Sequence, residues 1–334
     1  MTALTAPARP GHDASPRPVP WRRMGWVTWR QHRIALTGVA VLLGVLAVYM
    51  WIVGLRLHHA YAAATACHPA SSFACTSLIQ TFNGVDDFLA NGFILHAVPA
   101  LIGVFVGAPV LARELEAGPF RFAWTQGFGR WRWALAKLVP LAVVVTAAAG
   151  AFSVLFSWYF EPFFADGWQI PFGPIVFDLR GDAFAAWTLA AFAIGAFAGT
   201  LLRRVVPAMA ATLAVYAGLA FAAALYLRQH YLTPLLTSNP NPPGSAWIIG
   251  QQWYTKGGQP VSPAALGQLL GGNGGTPKSA DATQYLIQHG YTFWTSYQPG
   301  SRFWPFQWIE GGWLLALSLL LIAATVWLVR RRVV

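Results

Sequence analysis

On its apolar pattern alone the chain divides into six long hydrophobic runs, at about 34–55, 92–112, 136–159, 183–202, 205–227 and 308–329. Each is close to the roughly 20 residues that a helix needs to cross the hydrocarbon of a bilayer. Runs four and five are parted only by Arg203-Arg204, with Pro207 just beyond. This predicts a tight helical hairpin whose cationic turn reaches a headgroup region. Residues 1–20, rich in Pro, Ala, Ser and Arg, hold no apolar run and read as a disordered tail rather than a secretory signal. From Trp21 to Arg33, Trp, Met and Val interleave with Arg. That stretch suits an interfacial amphipathic helix or, equally, a positive flank of the first span. The expected class is an all-α integral membrane protein, with residues 34–334 forming a six-span transmembrane domain.

Composition supports this class. Hydrophobic residues make up 56 % of the chain and charged ones only 10 %, against about 25 % charged in soluble domains. The formal charge of +11 invites a nucleic-acid reading, but the basic residues sit at the ends of apolar runs rather than on one face, so no nucleic-acid partner is expected. With the N-terminus placed inside, the inside segments hold sixteen Lys and Arg and the longer outside segments hold six. The positive-inside rule therefore predicts cytoplasmic termini and a cytoplasmic loop at 113–137. Loops 56–91, 160–182 and 228–307 then lie outside.

Those outer loops carry few chemical signals. Cys67 and Cys75, with seven residues between them, are a candidate disulfide, the default for an extracytoplasmic pair. His58, His59 and His68 lie nearby, but their spacing matches no standard metal site, and none is expected. Loop 160–182 is short and acidic, with Glu161, Asp166, Asp178 and Asp182. Loop 228–307 is rich in Pro, Gly, Asn and Gln, with a short helix expected over 280–291. Its Gly271-Gly272-Asn273-Gly274-Gly275 lacks the Lys-Ser/Thr of a phosphate loop and reads as a flexible turn. HExxH, GxSxG, Walker A and CxxC patterns are absent, and no catalytic residue is assigned. The enzyme-like feature is Asp86-Asp87, similar to the paired metal-binding aspartates of lipid-linked sugar transferases; the plainer alternative is a solvated helix start. Glu310, at the outer start of run six, reads either as an interfacial carboxylate favoured by the helix dipole or as an outer gate paired with Arg302. The small residues from Gly195 to Gly199 suit close helix approach, within one subunit or between two.

The densest charge between apolar runs is Arg113 to Lys137, RELEAGPFRFAWTQGFGRWRWALAK. A helix over Arg113 to Ala117 is expected to break at Gly118-Pro119, with the chain resuming before Arg130. The order Glu114, Glu116, Gly118, an aromatic stretch from Phe120 through Arg121 to Trp124, then Arg130 and Lys137 resembles the loop between spans two and three of type-2 ABC transporter permeases. That loop commonly reads E-x-E-x-G-T…R…GK; here Pro119 stands for the Thr and Ala136 for the second Gly. Thr28-Trp29-Arg30-Gln31-His32-Arg33 and the stretch from Tyr297 to Glu310 resemble actinobacterial, drug-exporter-like members of the family.

The resemblance implies a multi-pass plasma-membrane permease subunit that exports a small amphipathic or hydrophobic compound. A separate cytoplasmic ABC ATPase would hold the ATP and Mg, this chain binding no cofactor, and a second permease subunit, identical or related, would complete the assembly among membrane lipids. In that family the loop docks on the ATPase, which casts Glu114, Glu116, Gly118, Phe120, Arg121, Trp124, Arg130 and Lys137 as coupling residues. Exposed ion pairs contribute only about 0–1 kcal/mol each, so attachment is expected to rest on the aromatics. The alternatives are a non-transporting scaffold or signalling module and the sugar transferase using Asp86-Asp87.

Overall fold

A computed structural model describes residues 21–68, 72–83, 93–118, 129–167, 170–173, 176–239, 242, 245–271 and 279–331. Six helices in it are long and apolar enough to cross a membrane: Gly25–Ala66, Leu95–Ala117, Arg130–Ala165, Ala183–Leu202, Val205–His230 and Gly300–Arg331. They correspond one to one with the six runs and are numbered here as spans one to six. The chain is thus an all-α membrane protein.

Span one belongs to a single helix of 46 residues, Trp21–Ala66. No proline interrupts that stretch, and at about 1.5 Å per residue it is roughly 70 Å long, about twice a bilayer's hydrocarbon thickness. The separate interfacial helix considered for 21–33 is therefore not a separate element; those residues continue the span. Thr28 Oγ1 donates to the Ala136 carbonyl at 3.2 Å, fixing this extension against the start of span three. Further along, Gly54 makes room for Trp158, whose ring would lie 2.6 Å from a Cβ placed there. His58 stacks on the same indole, with ring centroids 4.8 Å apart, and contacts the Trp158 carbonyl at 3.0 Å.

Spans two and four form the buried centre. In each, 67 % of the most apolar stretch is buried, against 17 % in span one and 22 % in span five. Backbones meet because the side chains are missing: a Cβ on Gly103 or Gly107 would come within 2.6 Å of the Ala191 or Phe192 carbonyl oxygen. One on Gly195 would come within 2.6 Å of the Ala108 nitrogen, and Gly199 faces the Ala108 carbonyl. The Gly195–Gly199 patch is thus used within the subunit. Span two carries a π-helical turn, Gly103–Gly107, immediately before Pro109. Pro109 has no N–H to give, and the widened turn is closed instead by Ala108 N–H donating to the Gly103 carbonyl at 2.8 Å. Span five has a second π turn, Ala223–Leu227.

Spans four and five are joined by Arg203 and Arg204 alone, as the sequence predicts, with Arg203 at φ 55° capping span four. Between spans five and six the chain forms a small antiparallel sheet of strands β1 (Leu235–Thr237), β2 (Trp247–Tyr254) and β3 (Thr292–Gln298), in the order β1-β3-β2. Trp253 pairs with Phe293 in its register, and a bulge lies between Ile248 and Gly250. Helices Pro263–Gly271 and Ser279–Gln288 fill the β2–β3 connection. The short helix near 280 was expected and the sheet was not. Cys67 and Cys75 are joined in a disulfide that closes the turn into helix Phe73–Asn83. The tail 1–20, Asp86 and Asp87, and the glycines from Gly272 to Gly275 lie outside the described residues.

Candidate functional site

Among the described residues the bundle has two polar constellations, one at each end. At the end carrying residues 113–137, helix Pro109–Ala117 stops at Gly118, whose φ of 85° places it in the left-handed region that glycine tolerates. This is the expected break. Phe120, Arg121 and Trp124 lie outside the described residues, and Arg130 opens the helix that carries span three.

The two glutamates at the root of this segment are held by the bundle itself. Glu114 forms an ion pair with Lys137, one full loop away, and Lys137 Nζ also donates to Gln31 Oε1 of span one at 3.0 Å. Lys137 is buried, with its ammonium 4.9 Å from the centre of the Trp133 ring. An ammonium so placed is stable only when paired and hydrogen-bonded. Glu116 is exposed, and its Oε2 accepts from the backbone N–H of Val205 at 3.0 Å, the first residue of span five. It thereby satisfies one of the N–H groups that a helix start leaves open. Among the described residues, then, Glu114 is engaged by Lys137 and one oxygen of the exposed Glu116 by the start of span five. They tie the root of the loop to spans one, three and five.

At the opposite end, Glu310 is fully buried, which corrects the interfacial reading. Its Oε1 accepts from Arg228 Nη2 at 2.8 Å and Trp187 Nε1 at 2.9 Å; its Oε2 accepts from Arg228 Nε at 3.0 Å and Tyr231 O–H at 3.1 Å. Four donors on one carboxylate is the coordination of an anion. Arg228 also pairs with Asp178, whose other oxygen lies 3.7 Å from His96 Nε2. Burial alone would raise the Asp178 carboxyl, but Arg228 and then His96 hold it below the usual carboxylate range. Tyr231 is pushed up by burial and by Glu310 and stays a donor. Arg228 reaches this cluster because the π turn of span five is followed by a short 3-10 turn, Arg228–His230.

Arg302 does not complete a gate with Glu310. Its Nη1 donates to the Thr233 carbonyl and to Gln298 Oε1, both at 2.7 Å, fastening β3 to the end of span five. Sequence reasoning missed Arg228, Asp178 and Trp187. It also missed Gln307, whose buried amide donates to the Phe177 carbonyl and accepts from Ala183 N–H, both at 2.9 Å, fixing the start of span four. Among the described residues no group of three or more His, Cys, Asp or Glu is placed to hold a metal.

Six apolar helices, two of them packed backbone to backbone at the centre, with ionic ties at both ends and a charged segment between spans two and three, define a polytopic membrane protein. The family model described as "ABC-2 membrane transporter related" matches residues 40–228, more than half of the chain, and the protein belongs to that family. No curated protein and no solved structure matches the chain.

Proposed function

We propose that the protein is the permease subunit of an ATP-binding cassette exporter, driven by a separate cytoplasmic ATPase that docks on residues 113–137. The observation that carries this reading is the root of that segment. Through Glu114, Lys137, Gln31 and Glu116 it is joined to spans one, three and five. A push on the segment is thereby delivered to three helices at once, and span five is connected to the buried span four through a two-residue turn. The charge bias supports a cytoplasmic location for this end. Phe120, Phe122 and Trp124 are the proposed contacts with the ATPase, since apolar anchors dominate interfaces and exposed ion pairs contribute little. The cargo is a small amphipathic or hydrophobic compound, the setting is the plasma membrane, and a second permease subunit completes the assembly. The likeness of Thr28–Arg33 and of Tyr297–Glu310 to actinobacterial drug exporters supports export over import.

The test separates docking from relay. Wild type, Phe120→Ala/Trp124→Ala and Lys137→Met are co-purified with the candidate ATPase in detergent, and ATP turnover is then measured in nanodiscs. Wild type is expected to retain the ATPase and the aromatic variant to lose it. Lys137→Met is expected to retain the ATPase while the permease no longer alters its turnover. Absence of any ATPase from the wild-type preparation in every nucleotide state would remove the mechanism.

A further inference from the structure

A groove of about 350 Å³ runs between spans three and six at the end that carries residues 113–137. Span six supplies Leu319, Ile322, Ala323, Val326, Trp327 and Arg330, and span three supplies Leu135. The spacing of the residues from span six is that of a single helical face, so they form one stripe. The stripe is apolar until Arg330 closes it. From Leu319 to Arg330 it covers roughly three helical turns, about 16 Å, which is about half the hydrocarbon thickness of a bilayer. A groove of that length matches the apolar part of one leaflet. It opens to lipid, with Leu319 57 % and Trp327 47 % exposed.

The chemistry of the stripe changes where headgroups begin. Trp327, one turn before its end, is a residue type favoured at the membrane–water boundary. Arg331 lays its guanidinium over that indole, 5.5 Å from the ring centre, which brings a second cation beside Arg330. Both arginines are exposed, and among the described residues neither forms an ion pair with a carboxylate. The acidic side chains described at this end are Glu114 and Glu116, engaged by Lys137 and by the start of span five. A guanidinium keeps its charge at any physiological pH, and its fork of N–H donors matches a phosphate. An apolar channel one leaflet long, with two cations at its polar end, complements a single anionic lipid.

We propose that this groove binds one anionic phospholipid of the leaflet on the side of residues 113–137, with an acyl chain along the stripe and the phosphate held by Arg330 and Arg331. The inference needs the six-span fold and is independent of the transport reading.

Two lipids with the same acyl chains and different headgroup charge make the test direct. The full chain in detergent is titrated with phosphatidylglycerol or with phosphatidylcholine, and native mass spectrometry counts the lipids bound to each molecule. The first phosphatidylglycerol is expected to bind about tenfold or more tightly than the first phosphatidylcholine, since each basic side chain at an anionic headgroup adds roughly fivefold. Arg330→Gln/Arg331→Gln should remove that preference. Ala323→Trp, which fills the groove and keeps every charge, should lose the tight lipid as well. Both variants alter exposed positions, so folded protein is expected. Equal affinity for the two lipids, an undiminished preference in the arginine variant, or unchanged tight binding in Ala323→Trp would each overturn the proposal. Displacement of the lipid by inorganic phosphate would identify a bare anion site. A lipid-free dimer that Ala323→Trp dissociates would assign the groove to a second copy of the chain. Either of these results also overturns the proposal. No ATPase is present in this experiment, so its failure leaves the docking result standing, and failure of docking leaves the lipid site standing.

Discussion

Replacing Glu310 with Leu removes the acceptor for four hydrogen bonds at once, from Arg228 twice, from Trp187 and from Tyr231. The 2.8 Å contact with Arg228 represents roughly 6 kcal/mol of gross attraction at an effective dielectric near 20. Most of that is offset by the desolvation of both groups. Breaking one partner of such a pair nevertheless costs about 3–5 kcal/mol, because the surviving charge stays buried. Arg228 keeps Asp178, which argues for the lower part of that range. The orphaned Trp187 N–H adds about 1 kcal/mol, and half-buried Tyr231 is free to turn elsewhere. The expected loss is therefore about 3–4 kcal/mol. It is measured by equilibrium unfolding in mixed micelles, for Glu310→Leu, Arg228→Met and the double variant. The double variant should be more stable than the sum of the singles predicts, by about 2 kcal/mol, since it leaves neither member of the Arg228–Glu310 pair without its partner, although Asp178 still loses Arg228 in it as in the Arg228→Met single. A single-variant loss below about 1 kcal/mol, or strict additivity, would refute the view of these residues as one paired network.

Three further outcomes follow from the packing. Gly195→Val should prevent spans two and four from closing, since its Cβ would come within 2.6 Å of the Ala108 nitrogen; the loss of folded protein, read as the monodisperse fraction after extraction, should exceed that of Gly218→Val, whose Cβ meets nothing within 4 Å. Cys67→Ser opens a loop with a sequence separation of 8, for which loop-closure entropy predicts a loss of about 2–3 kcal/mol. That loss should appear as faster hydrogen exchange in Phe73–Asn83, with the six spans unchanged. Arg302→Ala frees β3 from the end of span five; cleavage within 228–307 by added protease should rise about tenfold for a loss near 1.4 kcal/mol, with cleavage elsewhere unaltered.

The spans were legible because a bilayer imposes one strong rule, an uninterrupted apolar stretch of sufficient length, and the six runs obey it. Their ends were less legible. Helix Trp21–Ala66 runs well beyond apolar run one because helix formation continues through polar residues when no Pro or cap intervenes. The sheet of the outer subdomain escaped notice for the opposite reason. Its strands are short, β1 having three residues, and they stand among the Gly, Pro and Asn residues of a loop. Thr292 to Gln298, TFWTSYQ, is rich in the aromatic and β-branched residues that favour strands, but Phe293-Trp294 and Thr295-Ser296 break the alternation that would have announced one.

The site residues divide along the same physical line. Glu114, Gly118 and Lys137 were singled out because they lie in one short segment, where order along the chain is itself informative. Arg228 and Glu310 are 82 residues apart and Arg228 and Asp178 are 50 apart, distances over which no local periodicity speaks. A topological argument was still open. Run five ends just before Arg228, run six begins just before Glu310, and Asp178 stands shortly before run four. In a six-span plan these three boundaries fall at the same end of the bundle. Two acids and one base at the margins of apolar runs, all at one end, carry a large desolvation cost unless they meet. Complementary charges at same-end boundaries are therefore candidates for pairing in a polytopic chain, however far apart they stand in sequence. Arg302 shows why topology alone does not choose the partner: it shares that end, but Gln298 and the Thr233 carbonyl satisfy it within the outer subdomain, so the fully buried Arg228 takes both acids.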